Sequence, residues 1–375
     1  MFLPVIKEKG RIHRMSLKSV SDDSGTKQVF VCGAGHQGLS MAAHLALCGV
    51  KVTLWNRTLK NIEEVALTRK IYCRGIVNGC ASIDKASSDI SEVVTDFVMV
   101  TVPSNAHRDI AKELAPFVHK NMVVILNPGR TFGAIEFADC LRQNGAKEIP
   151  RIAETQTIVY TCRKEDVNCV NIYALKKGVK IAALKREDSD YIAGKLPDCL
   201  KPHFVKADSV AITSLSNVGM VLHCAPVLMN VGWIETEKAD FKYYYDGISE
   251  SIAKFLEKID SERIAVAKAV GFEVESTADW LKRIYQVKGS NLFECIQNNT
   301  KYREIDAPDS LNCRYILEDI PGGMVPIEYL GVQTGISTIN ISIVIDLANA
   351  IMNRDFRKEG RRFSLQFLQK YFGEL

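Results

Sequence analysis

Long apolar runs are missing from this chain of 375 residues. Nowhere do about 18 apolar residues follow one another, as a membrane-spanning helix requires. The most apolar late stretch, Ile339 to Met352, is interrupted by Asp346. No transmembrane helix is expected. Paired cysteines are missing too. The eleven cysteines are odd in number, and none stands in a Cys-x-x-Cys pair. That argues against a zinc site and against a disulfide framework. They read as reduced, packed thiols, and the expected location is cytoplasmic. The body of the chain also lacks an excess of charge. Lys7, Lys9, Arg11, Arg14 and Lys18 face Glu8 alone in the first twenty residues and account for the whole net charge of +4. No basic face for nucleic acid is therefore expected on the body, and no membrane partner. A homodimer is left open. There is no internal repeat and no low-complexity linker.

The composition, 47% hydrophobic and 25% charged, excludes a mainly disordered chain. The length sets a prior of two domains, at about 100–200 residues each. Residues 1–26 read as a flexible basic extension. Its apolar part is too short for a signal peptide, and no small-residue cleavage site follows. Met15 is an alternative start.

Residues 27–208 alternate strand and helix. Gln28 to Cys32 is a short apolar run of strand length. Gly33-Ala34-Gly35-His36-Gln37-Gly38 follows, then an amphipathic segment with Met41, Leu45 and Cys48 on one face, then the apolar run Lys51 to Trp55. A glycine turn between a strand and a helix, inside about 30 residues, is the setting that dinucleotide binding needs. Gly33 permits the tight turn, Gly35 lets backbone approach a pyrophosphate, and Gly38 lets helix and strand pack closely. The helix N-terminus then offers unpaired N–H groups to phosphate. His36 reads as a loop residue rather than a catalyst.

After the second strand an NAD-preferring unit usually carries an acid for the ribose hydroxyls. Here Asn56-Arg57-Thr58 stands instead. Arg57 suits a 2′-phosphate, with Asn56 and Thr58 adding hydrogen bonds, so NADP(H) is favoured and NAD(H) stays open. Strands at 96–102 and 122–126 end in Pro103-Ser104-Asn105 and Asn127-Pro128-Gly129. Both turns fall where cofactors bind in open α/β sheets, although Pro, Ser, Asn and Gly favour turns anyway. Further strands are expected near 151–161, 170–174, 179–184 and 203–206, extending the same sheet.

Residues 209–375 read as helical. Gly219 to Val231 is an apolar helix. Phe241 to Val270 reads as one long amphipathic helix, with Ile248, Ile252, Phe255 and Ile259 on one face. The expected fold is a doubly wound, mostly parallel α/β Rossmann domain followed by an all-α domain, with a substrate cleft between them. His223 lies in an apolar setting, Ser216-Asn217…His223-Cys224-Ala225-Pro226. It is either a general acid/base oriented by a carboxylate or a hydrogen-bonded core histidine. Arg314, Glu318 and Asp319 stand close in sequence. Arg314 could grip a substrate carboxylate and Asp319 could orient His223. The same cluster is also what a cap or salt bridge would use.

Together these segments resemble the octopine/nopaline (opine) dehydrogenase family. The resemblance runs from about residue 28 and rests on several stretches. They are Gly-Ala-Gly-His-Gln-Gly, Leu-Asn127-Pro-Gly-Arg-Thr, Ala153-Glu-Thr-Gln-Thr, the Asn217…His223…Pro226 segment with Asn230-Val-Gly-Trp-Ile-Glu235, and Arg314-Tyr-Ile-Leu-Glu-Asp319-Ile-Pro-Gly-Gly-Met-Val-Pro326. The resemblance implies reductive condensation of an amino acid with an α-keto acid to an N-(carboxyalkyl)amino acid. It implies a catalytic His–Asp pair matching His223 and Asp319, and a carboxylate-binding arginine matching Arg314. Thr155, Gln156 and Cys162 are expected to line the amino-acid pocket. Asn56-Arg57-Thr58 and the N-terminal extension depart from the family pattern. The alternatives are a ketopantoate reductase or glycerol-3-phosphate dehydrogenase, which would use a lysine in the helical domain, and a non-catalytic NADP sensor. Ser214 to Pro226 contains no lysine.

Overall fold

The computed structural model describes residues 25–236 and 240–372. The basic extension thus lies outside the described residues except at its end. Gly25 and Thr26 are already tied to the body, through Asp198 Oδ1 at 3.3 Å and the Lys195 carbonyl at 3.1 Å.

The strands are β1 (Gln28–Cys32), β2 (Lys51–Trp55), β3 (Lys70–Gly75), β4 (Gly79–Ser82), β5 (Lys85–Ser87), β6 (Phe97–Val100), β7 (Val123–Leu126), β8 (Arg151–Thr155), β9 (Tyr160–Asp166), β10 (Cys169–Leu175), β11 (Val179–Ala183) and β12 (Phe204–Lys206). Eight form one sheet in the order β12-β11-β8-β7-β6-β1-β2-β5. All neighbours run parallel except β8 and β11. The central strands are buried on both faces, which is why β1, β6 and β7 read as unbroken apolar runs rather than alternating ones. The chain leaves β1 towards β2 on one side and returns to β6 on the other. The glycine turn after β1 therefore sits at the switch point, where a ligand crevice opens.

The expectation that the strands near 151–161 and 170–174 extend this sheet is wrong for two of them. β9 and β10 join β3 and β4 in a separate sheet of order β4-β3-β10-β9. The reason is visible in their alternation: these strands bury one face and expose the other, as an outer layer does. The helix His36–Leu47 packs against both sheets. Its apolar residues thus fill the layer between them.

Among the described residues, every strand precedes Ser209. The helix Val210–Leu215 begins with Ser209 Oγ accepting the Ala211 N–H at 3.2 Å. The helix Gly219–Met229 is apolar all round and buried. The stretch 210–229 is apolar enough to cross a membrane, but 94% of it is buried within the protein. The long helix expected from Phe241 begins only at Glu250, capped by Ser249 Oγ on the Ile252 N–H. Residues 241–247 instead form a compact loop, closed by the Lys242 N–H on Asp246 at 2.7 Å. Their apolar side chains imitate helical spacing because three tyrosines in a row leave every register apolar.

One core is continuous across both halves: Phe30, Val98 and Val124 of the sheet belong to the same cluster as Met220, Leu256 and Ile327 of the helices. Buried polar contacts add to this seam. Glu154 accepts from Thr213 and Ser214 hydroxyls at 2.9 and 2.6 Å. Arg361 reaches back to Glu136 at 2.7 Å and to the Gly129 and Thr131 carbonyls.

Candidate active site

The glycine turn has the shape that its residues predict. Gly33 has φ of +112°, and a Cβ there would press on Val102 and Thr101. A Cβ on Gly38 would collide with the Gly33 carbonyl. A Cβ on Gly35 would meet nothing within 4 Å. Gly35 therefore faces open space where a pyrophosphate could approach. The helix starting at His36 has no capping side chain and no acid in its first turn, so its N–H groups remain free for an anion. Asn56 Oδ1 accepts the Ala34 N–H at 3.3 Å and its amide reaches the Thr58 carbonyl, linking the turn to the end of β2. These residues fit a dinucleotide.

His223 lies in the N-terminal part of the helix Gly219–Met229. Its Nδ1 is 2.7 Å from Asp319 Oδ2 and its Nε2 is 3.2 Å from the Tyr244 hydroxyl. The ring stacks on Tyr315 with centroids 4.2 Å apart. The Tyr243 hydroxyl donates to the His223 carbonyl at 2.6 Å and so pins the backbone. Asp319 follows the short helix Arg314–Leu317 and precedes a π-helical turn, Ile320–Met324. That turn carries Pro321, Gly322 and Gly323, and such turns often mark functional sites. Burial pulls the His223 pKa below the usual 6.5, while Asp319 opposes the shift. A neutral imidazole with Nδ1–H fixed on a carboxylate leaves Nε2 able to exchange a proton.

Arg130 lies behind Asp319. It binds Glu318 through Nε at 3.1 Å and Nη2 at 3.3 Å, and its Nε is 3.4 Å from Asp319 Oδ1. Glu318 also accepts the Ser104 N–H at 3.1 Å. Burial opposes ionisation of Glu318. Arg130 and Arg314, with the hydrogen bonds from Arg130 and Ser104, outweigh it and hold the carboxyl well below its ordinary range. The two acids chosen between in the sequence are thus both used: Asp319 on the histidine and Glu318 on the arginine. A cavity of about 520 Å³ opens in front of this group. His223, Arg314 and Tyr244 line it from the helical half, and Arg130 of the loop after β7 and Gln37 of the glycine turn line it from the Rossmann half.

The opine dehydrogenase of Arthrobacter sp. (strain 1C) is 37% identical to this chain over 339 residues, spanning 90% of this chain and 94% of its own. The chain belongs to the octopine/nopaline dehydrogenase family. Residues 206–352 match that family's alpha-helical domain, described as NAD/NADP octopine/nopaline dehydrogenase. Residues 28–130 match the N-terminus of NAD-dependent glycerol-3-phosphate dehydrogenase. Octopine dehydrogenase with NADH and L-arginine shares the fold at a TM-score of 0.70 and 19% identity, over 88% of this chain and 90% of that one. NADP+-bound yersinopine dehydrogenase does so at 0.70 and 13%, over 92% and 96%. The protein is an NAD(P)-dependent dehydrogenase of the opine type.

In this opine dehydrogenase the residues expected from sequence fall unevenly. His223, Arg314, Gln156 and Cys162 line the cavity. Arg314 stands exposed to it, with its guanidinium 5.4 Å above the Tyr315 ring. Thr155 is not among the lining residues. Its hydroxyl is buried on the Leu126 carbonyl at 3.3 Å, because alternation along β8 turns Thr155 into the sheet core and leaves the next residue for the cavity. Ser104 is buried, and its N–H is taken by Glu318; Pro103 beside it is exposed. His36 Nδ1 accepts the Lys164 N–H at 2.7 Å, a loop role. Arg57 is largely exposed, 3.5 Å from Asp109. Arg130, Tyr244, Tyr315 and Lys176 were not anticipated. Only Arg130 had a signal, since it follows β7 at the carboxyl edge of the sheet.

Proposed function

We propose that this opine dehydrogenase condenses an amino acid with an α-keto acid and reduces the resulting imine, with His223 as acid/base, Asp319 as its orienting carboxylate and Arg314 as the keto-acid anchor. The observation that carries this reading is the His223–Asp319 contact of 2.7 Å in the wall of a cavity that also holds Arg314 and Gln37. Arg314 pairs with the keto-acid carboxylate and sets the carbonyl carbon near His223. The amine adds to that carbon. Protonated His223 gives its Nε2 proton to the former keto oxygen, which leaves as water and yields the imine. Gly33, Ala34, Gly35, His36, Gln37, Gly38, Asn56, Thr58 and Pro103 would hold the nicotinamide cofactor, which would supply the hydride for reduction of the imine. The sum is amino acid, keto acid, NAD(P)H and a proton giving opine, NAD(P)+ and water. Tyr244 holds Nε2 until substrate takes its place, and alignment of the two substrates supplies much of the rate.

Pairs of L-amino acids and α-keto acids, with NADPH or NADH, test the reaction by cofactor oxidation. Turnover is expected only with both substrates present. Turnover with ketopantoate or with a keto acid alone would instead support the reductase alternative. NADP(H) is the preferred cofactor in this reading, because no acid follows β2. The exposed Arg57–Asp109 pair is weak enough for a 2′-phosphate to replace. Arg57→Asp is expected to weaken NADPH binding at least tenfold more than NADH binding; equal losses would remove the 2′-phosphate argument. All eleven cysteines are free thiols, which suits a cytoplasmic setting. The helix Ile339–Met352 exposes Ile339, Ile343, Leu347 and Ile351 along one stripe, where a second copy would bury apolar area.

A further inference from the structure

The product of this reaction bears two carboxylates, one from each substrate, and Arg314 accounts for one. Among the described residues three further cations without a carboxylate ion pair line the cavity, Arg163, Lys176 and Lys301, and of these Lys176 alone is buried. Lys176, which follows β10, is buried, yet its side chain lines the cavity. Its Nζ donates to the Ile158 carbonyl at 2.9 Å. An ammonium has three N–H donors, so two are left for a ligand. The backbone is clamped on both sides: the Lys176 N–H donates to the Val159 carbonyl at 2.9 Å, and its own carbonyl lies 3.0 Å from His203 Nδ1. The side chain is therefore presented from a fixed frame. A buried ammonium without a counter-ion is unfavourable, and a carboxylate removes that cost when its geometry is good. Burial pulls the Lys176 pKa down to about 8, with Arg314 and Arg130 pushing the same way. An anion at Nζ reverses that pull.

Arg314 and Lys176 reach the cavity from different elements, the short helix Arg314–Leu317 and the end of β10. Arg314 adjoins Tyr315, on which His223 stacks, so the carbonyl to be protonated lies on the helical side. Lys176 lies on the β9–β10 side, with Gln156 and Cys162. We infer that Lys176 binds the α-carboxylate of the amino-acid substrate, while Arg314 binds that of the keto acid. This assignment rests on the condensation reading. Ile172, Trp280, Tyr285 and Tyr302 also line the cavity and offer apolar surface to the side chain.

The test uses full-length protein loaded with NADPH and two probes, N-(1-carboxyethyl)-L-phenylalanine and N-(1-carboxyethyl)-2-phenylethylamine. The second lacks only the amino-acid carboxylate. By calorimetry, wild-type protein is expected to bind the dicarboxylate about 10–100-fold more tightly, the worth of a hydrogen bond to a charged group. In Lys176→Met the ratio falls to near one, with affinity for the monocarboxylate unchanged, and Lys176→Arg restores part of the preference. An unchanged ratio in Lys176→Met, or an equal loss for both probes, overturns the assignment. Failure of the condensation reading looks different: wild-type protein then binds neither probe, and the assignment falls with it.

Discussion

At the scale of single residues, the histidine is set by what surrounds it. Burial lowers the His223 pKa from 6.5 and Asp319 raises it. In the proposed mechanism, opine oxidation needs neutral His223 as proton acceptor. Its kcat/KM is therefore expected to stay level down to about pH 6.5 and to fall only as pH drops through the lowered pKa. Asp319→Asn removes the raising charge, so that limb should move to still lower pH. The tautomer is then also unfixed, and kcat should fall about 10²–10⁴-fold. A pH–rate profile of both proteins checks this. A limb that moves to higher pH would contradict the assignment of His223 as the titrating base. His223, Asp319 and Arg314 were legible in the sequence because of their chemistry and the family's pattern. Arg130 and Lys176 were not. A lysine in Leu175-Lys176-Lys177-Gly178 looks like a solvated loop charge until the fold buries one neighbour and exposes the other.

At the scale of elements, the junction of the helix Gly219–Met229 with Arg130 is the tightest point behind the histidine. A Cβ on Gly219 would collide with Arg130 Nη1 and stand 3.0 Å from Asp319 Oδ1. Alanine is ordinarily better than glycine in a helix by about 1 kcal/mol. Here Gly219→Ala is expected to destabilise the protein by about 1–3 kcal/mol, the cost of overpacking, and to reduce turnover by displacing Arg130. Thermal unfolding with steady-state rates measures both; a higher Tm with full activity would show that Arg130 has room to move. Elements with continuous or strictly periodic patterns were legible, such as β1, β6, β7 and the glycine turn. The second sheet was not, because two local hairpins, β3–β4 and β9–β10, are joined only by the pairing of β3 with β10, about a hundred residues apart. The loop 241–247, which delivers Tyr244 to His223, was hidden by its apolar residues.

At the scale of the whole molecule, the two halves share one core and one buried polar seam. Arg361, 3% exposed, joins the C-terminal region to the Rossmann sheet through Glu136 and two carbonyls of the segment that carries Arg130. Arg361→Met leaves the buried Glu136 with Arg108 as its partner. Because Arg108 still compensates the Glu136 charge, the expected cost is about 1–3 kcal/mol, that of buried acceptors left without their donor. Urea denaturation measures this, and a loss under 1 kcal/mol would mean that the seam is held by apolar packing alone.

The sequence by itself determined the Rossmann frame and the helical second half. It also determined the dinucleotide turn, because glycine spacing and hydrophobic period are local properties. Only the tertiary structure decided that Arg130 and Tyr244 flank the His223–Asp319 pair, and that Lys176 faces the same cavity as Arg314. Those relations join residues far apart along the chain, and burial, which sets their pKa values and partners, is a property of the packed molecule.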